Sequence, residues 1–214
     1  MATLTLTIDG QSIECPEGST ILQAADAAGI YIPRMCHHPD LPPINEVTWV
    51  DSICQVETEI TGEKPGEEAG KEARCNLCLV EVEGQAEPVN SCITPAENGL
   101  IVRTDTEDVI LKRKQALAKL LGDHPHACLT CAQKEGCSRT DCSSNVPVDE
   151  RCCVLLGHCE LEKISDYIGI PNDTNKYVPQ QLPSTKSDPL FVRDYNLCIG
   201  CLRCVRVCSK IHGL

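Results

Sequence analysis

Cysteines separated by two residues recur at three places along the chain and constrain its fold more than any other feature. They stand at Cys75 and Cys78, at Cys128 and Cys131, and in the run Cys198, Cys201 and Cys204. Thiols at this spacing leave one loop and can bind the same metal centre, whereas disulfide scaffolds seldom gather cysteines in this way. With 17 cysteines in 214 residues, the sequence predicts a chain that folds around metal centres rather than a secreted, disulfide-stapled protein.

The composition argues against several classes of protein. Met1-Ala2-Thr3-Leu4 leads directly into an alternating strand rather than a signal peptide, and no apolar run approaches the ~20 residues of a membrane span. We therefore expect a cytoplasmic protein whose thiols stay reduced. The net charge of −12 argues against zinc-finger-like binding to nucleic acid, because phosphate binding needs a basic face. Aromatic residues are only 3% of the chain, and metal ligation can supplement the thin core that this implies.

The first 30 residues predict the opening of a β-grasp domain within an α+β fold. Residues 2–9 alternate apolar and polar side chains, Asp9-Gly10 is a hairpin turn signal, and Gln11 to Cys15 form the return strand. Ser19 or Thr20 can then cap a helix that Gly29 ends. The apolar face of this helix is expected to contain Ile21, Leu22, Ala25 and Ala28.

A first set of four thiols follows this opening. Its predicted members are Cys36, Cys75, Cys78 and Cys92. Cys54 is an alternative to Cys36, but Cys36 comes directly after the helix and extended segment that position such a loop. The pair and the later single cysteine resemble the plant-type [2Fe–2S] pattern, in which four thiolates hold two bridged irons. Cys15 is expected to be a small buried residue, and the Gly-, Glu- and Lys-rich residues 55–74 are expected to be a solvated loop.

A second helix is predicted to deliver the next ligands. Asp105 or Thr106 caps it and Gly122 ends it, directly before the motif His124-x3-Cys128-x2-Cys131. Its apolar positions are expected to be Ile110, Ala116, Leu117, Leu120 and Leu121, with the cations Lys112, Arg113, Lys114 and Lys119 largely on the other face. The spacing singles out His124 as a ligand. We interpret His37, His38, His126, His158 and His212 as surface or supporting residues.

The last motif is Cys198-x2-Cys201-x2-Cys204-x3-Cys208, which is the bacterial ferredoxin run. Its first three thiols hold three corners of a [4Fe–4S] cube, and Cys208 normally serves a second cube. Ser209 stands where a proline usually follows, and the partner motif is missing before Leu214. We therefore expect either the front portion of a longer chain or a Cys208 that closes another site.

Taken in order, these motifs resemble the amino-terminal iron–sulfur region of the large peripheral subunit of respiratory complex I, [FeFe]-hydrogenases and NAD-linked formate dehydrogenases. The resemblance covers nearly all of the chain. It implies that His124, Cys128 and Cys131 bind a [4Fe–4S] cluster. The fourth ligand is either Cys137, which has the family's spacing, or Cys159, which has its local context; we favour Cys159. The spare thiols are expected to bind an additional cluster or a zinc ion, or to form a redox disulfide; they are Cys137, Cys142, Cys152 and Cys153.

The predicted organisation has four parts. These are a β-grasp [2Fe–2S] ferredoxin domain at 1–104, a small irregular helical His/Cys [4Fe–4S] domain with a Cys-rich insertion at 105–170, a linker at 171–190 and a partial bacterial-ferredoxin-like [4Fe–4S] domain at 191–214. A short helix from Cys159 to about Tyr167, ended by Gly169, closes the second part.

The expected function is electron transfer without substrate chemistry. The chain contains no Gly-rich dinucleotide fingerprint, phosphate loop or nucleophile elbow, so we assign no catalytic residue. The resemblance implies two partners, an NAD(P)H-linked flavoprotein and a terminal redox enzyme. The alternatives are the front portion of a longer catalytic chain, of hydrogenase or formate dehydrogenase type, and a zinc-stabilised interaction module.

Overall fold

A computed structural model describes residues 2–44, 52–55, 58–61, 74–131, 157–178, 184–185 and 193–212. The chain divides into two compact units. The first contains Met1–Met35 and Cys75–Ile199, and the second contains Cys36–Arg74 and Gly200–Leu214.

The described elements combine short strands with four α-helices. The strands are β1 (Thr3–Ile8), β2 (Gln11–Pro16), β3 (Ser52–Gln55), β4 (Thr58–Thr61), β5 (Leu79–Val82), β6 (Val89–Asn90), β7 (Ile101–Arg103), β8 (Ser184–Thr185) and β9 (Arg193–Asp194). The α-helices are α1 (Ile21–Ala27), α2 (Glu107–Gly122), α3 (Glu160–Ile168) and α4 (Arg203–His212). Two 3₁₀ turns lie at Ala127–Thr130 and Tyr195–Leu197.

The first unit is built on a mixed five-stranded sheet with the order β2-β1-β7-β5-β6. β1 pairs with β7 in parallel, and its hairpin with β2 is antiparallel. Asp9 and Gly10 form the turn of this hairpin with φ of 49° and 82°, the positive values that a tight hairpin turn requires. The alternation of β1 buries Leu6 and Ile8 in the core. The predicted α+β class is thus confirmed, and Cys15 is a buried core residue as expected.

Helix α1 packs against β2 and begins at a complete capping box. The Thr20 side chain accepts from the Gln23 backbone N–H, while the Gln23 side chain accepts from the Thr20 N–H. This choice of cap settles the alternative between Ser19 and Thr20. The buried residues of α1 are Ile21, Leu22, Ala24 and Ala25. They place the apolar face of the helix against the sheet.

Helix α2 packs against β5 and against α3. Thr106 caps it, with Glu107 and Asp108 in the favourable first turn. The buried residues of α2 form one row along the helix, which consists of Val109, Arg113, Leu117 and Leu121. The predicted apolar face of this helix was therefore wrong at two positions. Ile110 is 41% exposed, whereas Arg113 is 4% exposed. The row repeats every four residues from Val109, and Arg113 occupies its second position.

Among the described residues, the later part of the first unit includes the helix α3 and the small sheet of β8 and β9. Helix α3 begins after Cys159 and ends before Gly169, as predicted. Ser184 and Thr185 pair with Asp194 and Arg193 in an antiparallel ladder, so part of the segment predicted as a linker is a paired strand.

The second unit contains an antiparallel hairpin of β3 and β4 and the helix α4. Strand β4 lies within residues 55–74, which were expected to be a solvated loop, and β3 ends at the first residue of that segment. β-branched residues recur in both strands, at Ile53, Thr58, Ile60 and Thr61, and such residues favour extended backbone. Among the helices of the described ranges, none is long and apolar enough to span a lipid bilayer.

Candidate metal centres

Three predicted [2Fe–2S] ligands lie in the first unit, beside β5 and β6. Cys78 and Cys92 are buried in its core, and Cys75 is half-buried. The Ser91 backbone N–H and side-chain hydroxyl both donate to the Cys78 carbonyl, at 3.1 and 2.7 Å. This double contact ties the residue before Cys92 to Cys78, so the two thiols leave adjoining stretches of backbone.

Three further hydrogen bonds hold these loops. The Cys78 thiol lies 3.5 Å from Asn90 Oδ1, to which it donates a hydrogen bond. At the start of α1, the Leu22 N–H donates to the Ser91 carbonyl and the Ile21 N–H to the Thr94 carbonyl, both at 3.0 Å. The helix that the sequence predicts thus anchors the loop that carries Cys92.

The predicted first ligand, Cys36, belongs to the second unit. It is 2% exposed, and its carbonyl oxygen accepts a hydrogen bond from Arg206 Nη2. Its rival, Cys54, lies in β3 opposite Glu59, and the Cys54 side chain falls outside the described residues. The preference for Cys36 therefore stays a prediction.

His124 follows the end of α2, where its backbone N–H donates to the Leu121 carbonyl at 3.1 Å. Its ring Nδ1 lies 2.9 Å from the Pro125 carbonyl oxygen. Because a carbonyl can only accept, Nδ1 carries a proton, and in the neutral ring Nε2 then keeps its lone pair. Burial lowers the pKa of His124 below its ordinary value, although the Pro125 hydrogen bond opposes this. A neutral ring whose other nitrogen is fixed by a carbonyl is the usual state of a metal-binding histidine.

Cys128 lies within the 3₁₀ turn Ala127–Thr130 that follows His124, Cys131 comes directly after that turn, and both are half-buried. The Leu129 N–H donates to the His126 carbonyl at 2.9 Å, which begins this turn. His126 was expected to be a surface or supporting residue; it is buried, and its Nδ1 lies 3.0 Å from the His124 carbonyl oxygen. It therefore supports the backbone of the motif.

Cys159 is the N-cap residue of α3. The loop before it is fixed by Glu162, a buried carboxylate whose Oε2 accepts from the Gly157 N–H at 2.6 Å. Gly157 has a φ of 90°, a conformation that favours glycine. The other candidates in this region, Cys137, Cys142, Cys152 and Cys153, lie outside the described residues.

The ferredoxin-type run is divided between the units. Cys198 lies in the first unit, directly after the 3₁₀ turn, and is exposed. In the second unit Cys201 is half-buried, and Cys204 and Cys208 are exposed on α4. Leu202, between Cys201 and α4, has a φ of 54°, which makes the turn into the helix a strained one for a residue with a side chain.

The donor chemistry fits iron–sulfur clusters. Thiolates are the ordinary ligands of such clusters, and imidazole replaces some of them in Rieske centres. Within the described residues, no three His, Cys, Asp or Glu side chains are arranged to hold a single metal ion. A [2Fe–2S] cluster takes two protein ligands on each iron, and a [4Fe–4S] cluster takes one on each corner. Neither cluster therefore needs three side chains around one ion.

Comparison with known families identifies the class of the chain. Residues 1–69 and 54–107 match the family model described as a 2Fe-2S iron–sulfur cluster binding domain. Together the matches cover residues 1–107, half of the 214 residues. The chain belongs to this family.

The more particular likeness is to components of large redox complexes. The chain is 30% identical over 215 residues to the NADP-reducing hydrogenase subunit HndD of Solidesulfovibrio fructosivorans, covering 99% of this chain and 28% of that protein. It is 30% identical over 211 residues to an NADH-quinone oxidoreductase subunit of Rhizobium meliloti, covering 97% and 19%. The 78 kDa NADH-ubiquinone oxidoreductase subunit of Candida albicans is 29% identical over 217 residues, with coverage of 100% and 23%.

A solved structure agrees with these relatives. A chain of the NAD+-reducing [NiFe]-hydrogenase in its H2-reduced state matches with a TM-score of 0.65 and 27% identity, over 99% of this chain and 68% of that one. The predicted resemblance to complex I and hydrogenase subunits is confirmed. The chain spans between 19% and 28% of the length of the three relatives named above.

Proposed function

We propose that this chain is an iron–sulfur electron-transfer subunit or module of a multi-subunit oxidoreductase. The observation that carries the proposal is its membership of the [2Fe–2S] cluster-binding family over residues 1–107, followed along the sequence by two further groups of cluster-type ligands. The clusters, when bound, accept and release single electrons. The residues of the chain hold them, exclude water from them and set their potentials.

The [2Fe–2S] cluster is assigned to a β-grasp domain at residues 1–104. Its proposed ligands are Cys36, Cys75, Cys78 and Cys92. Two observations support this assignment: Cys78 and Cys92 are buried, and Ser91 donates two hydrogen bonds to the Cys78 carbonyl. Buried thiolates on a loop that hydrogen bonds hold in place need little rearrangement to bind iron. The hydrogen bond from the Cys78 thiol to the Asn90 side-chain oxygen also supports this assignment.

The second cluster is a [4Fe–4S] centre within residues 105–170, with His124, Cys128, Cys131 and Cys159 as ligands. The Nδ1–H tautomer of His124 supports its role, since it leaves Nε2 for iron. The preference for Cys159 over Cys137 rests on the loop that Glu162 and Gly157 fix before it. The helix N-terminus at Cys159 also favours a thiolate there.

The third cluster is of the ferredoxin type and uses Cys198, Cys201 and Cys204, with Cys208 serving a further cluster. It belongs to a bacterial-ferredoxin-like domain at 191–214, after a connecting segment at 171–190. We retain an additional cluster or a zinc ion as the role of Cys137, Cys142, Cys152 and Cys153.

Two partners follow from this function. The relatives are named as NADP-reducing or NADH-linked subunits, so we propose an NAD(P)H-binding flavoprotein as one partner and a terminal redox enzyme as the other. A cytoplasmic, reducing compartment suits this number of thiols. In this proposal the residues of this sequence carry electrons, and we assign no substrate chemistry to them.

A second candidate function is the front portion of a longer catalytic chain. It is favoured by the short share, 19% to 28%, that this sequence covers of its relatives. The electron-transfer role of these residues would be the same in that case, and a catalytic domain would follow them.

The experiment is an EPR titration of anaerobically purified protein with stepwise addition of dithionite. We expect a [2Fe–2S] signal and at least two [4Fe–4S] signals, each reduced by one electron at its own potential. Colourless protein that binds zinc and gives no signal would contradict the proposal and favour a zinc-stabilised interaction module.

A further inference from the structure

A buried arginine lies beside the candidate [2Fe–2S] ligands. Arg113 occupies the core-facing row of α2 and is 4% exposed. Its Nη2 donates a 2.6 Å hydrogen bond to the carbonyl oxygen of Leu79, the residue that follows Cys78. The guanidinium is thereby fixed next to the backbone that carries a proposed cluster ligand, and all three residues belong to the first unit.

The charge of Arg113 is not balanced by an acidic side chain in the described part of the chain. No ion pair joins it to a carboxylate there, and its buried Nε has no hydrogen-bond partner among those residues. Burial lowers the pKa of Arg113, while Tyr167, Cys78, Asp9 and Asp105 act in the opposite direction. An arginine nonetheless keeps its proton in proteins, so the fold buries a cation.

The nearby acids Asp9 and Asp105 attract the guanidinium, but neither forms an ion pair with it among the described residues. The Asp9 carboxylate accepts from the Thr104 N–H at 2.7 Å and from the Thr104 hydroxyl at 2.6 Å, which commits both of its oxygens elsewhere. Burying a charge that no counter-ion pairs with is destabilising. An anion held on the Cys78 side would remove that cost.

A [2Fe–2S] cluster with four thiolates is such an anion. Two ferric ions, two sulfides and four thiolates give a net charge of about −2, and adding one electron makes it about −3. A fixed positive charge close to the cluster stabilises the more negative, reduced form more than the oxidised form. No proton or second reactant is needed for this step.

We propose that Arg113 is a positioning residue that supplies the buried counter-charge of the [2Fe–2S] cluster and raises the potential at which this cluster accepts an electron. The inference rests on the proposed function, because it presumes that Cys78 binds the cluster. It also gives a reason for a cation in the apolar row of α2. The same helix leads to His124, so one rigid element sets the environment of two candidate centres.

The chain provides a matched control in the preceding residue. Lys112 is also a cation of α2, but it lies at the surface, where it pairs with Glu87 at 2.6 Å and with Asp108 at 3.0 Å. Solvent and these carboxylates screen its charge. Replacing Lys112 by Met removes one positive charge from the same helix and leaves the buried charge of Arg113 in place.

The test compares Arg113→Met, Arg113→Lys, Arg113→Gln and Lys112→Met in the purified, cluster-loaded full chain. The readout is the [2Fe–2S] midpoint potential from an EPR-monitored titration, with iron and sulfide content and thermal unfolding measured alongside. We expect Arg113→Met and Arg113→Gln to make one-electron reduction at least tenfold less favourable, a shift of about 59 mV to lower potential. Arg113→Lys should retain most of the wild-type potential, and Lys112→Met all of it.

The outcomes separate the inference from the function on which it rests. An unchanged potential in the Arg113→Met and Arg113→Gln variants would overturn the inference, as would an equal shift in Arg113→Lys, which would indicate geometry rather than charge. If Arg113→Met fails to fold, the Gln and Lys variants make the comparison. A wild-type chain without any [2Fe–2S] signal would instead contradict the proposed function.

Discussion

Arg206 of α4 donates hydrogen bonds to the carbonyl oxygens of Cys36 and Pro42. It is 2% exposed, and it lies between two proposed ligands, Cys204 and Cys208. Two more cations of the same helix also donate hydrogen bonds to backbone carbonyl groups of this loop. Arg203 donates to the His37 carbonyl at 2.9 Å, and Lys210 donates to the Asp40 carbonyl. In the second unit, the helix of the ferredoxin-type motif therefore holds the loop that contains Cys36.

Replacing Arg206 by Met is expected to release this loop. The change removes the hydrogen bonds from Arg206 to the Cys36 and Pro42 carbonyl oxygens, and a hydrogen bond from a charged donor contributes about 1.5–3 kcal/mol. We expect lower stability in urea unfolding and faster alkylation of Cys36, measured by mass spectrometry. Lys210→Met, at the exposed end of the same contact, should have a smaller effect on both quantities. Equal alkylation of Cys36 in wild type and Arg206→Met would show that Arg206 does not restrain the loop that contains Cys36.

The [2Fe–2S] assignment predicts a sharp difference between two buried cysteines of one core. Cys92→Ser should remove about two irons per chain and abolish the binuclear EPR signal. Cys15→Ala is the control, because Cys15 is 2% exposed in the same core but is not assigned as a ligand; it should keep the signal at some cost in stability. Loss of the signal in both variants would indicate that the core, rather than ligation, had failed.

The histidine assignment predicts a change of potential rather than simple loss. In His124→Cys a thiolate replaces a neutral ring, which adds one negative charge to the cluster and should lower its potential. His124→Ala should lose this [4Fe–4S] signal. His158→Gln, which alters an exposed histidine, should leave both signal and potential as in the wild type. An unchanged potential in His124→Cys would remove His124 from the ligand set.

The choice between Cys159 and Cys137 can be decided by matched serine variants. We expect Cys159→Ser to lose about four irons and the signal of the His124 cluster, and Cys137→Ser to retain both. Glu162→Gln should weaken the same cluster without removing a ligand, because the carboxylate fixes Gly157 in the loop before Cys159. The reverse pattern, with loss only in Cys137→Ser, would assign the ligand to Cys137.

Local sequence signals predicted the elements that depend on near neighbours. The Asp9-Gly10 turn and the Thr20 cap each involve residues within four positions of one another. The local sequence was therefore enough to predict both. The hairpin of β3 and β4 was missed because Gly, Glu and Lys dominate the segment as a whole, while its short β-branched runs are local.

Arg113 and Arg206 show what pattern alone could not reveal. Helical periodicity puts position 113 in the row of Val109 and Leu117, and that signal was available. A charged residue is nonetheless ordinarily assigned to solvent. Its acceptor, the Leu79 carbonyl, lies 34 residues away, and the acceptors of Arg206 lie 164 and 170 residues away. Contacts of that separation depend on the completed fold.

The central claim, that thiols and one imidazole of this chain bind iron–sulfur clusters, is tested most directly by iron and acid-labile sulfide analysis of anaerobically purified protein. One binuclear and two cubane clusters predict about ten irons and about ten sulfides per chain, and a further cubane would raise each count to about fourteen. Protein that is folded and stable but contains neither iron nor labile sulfide would contradict the account.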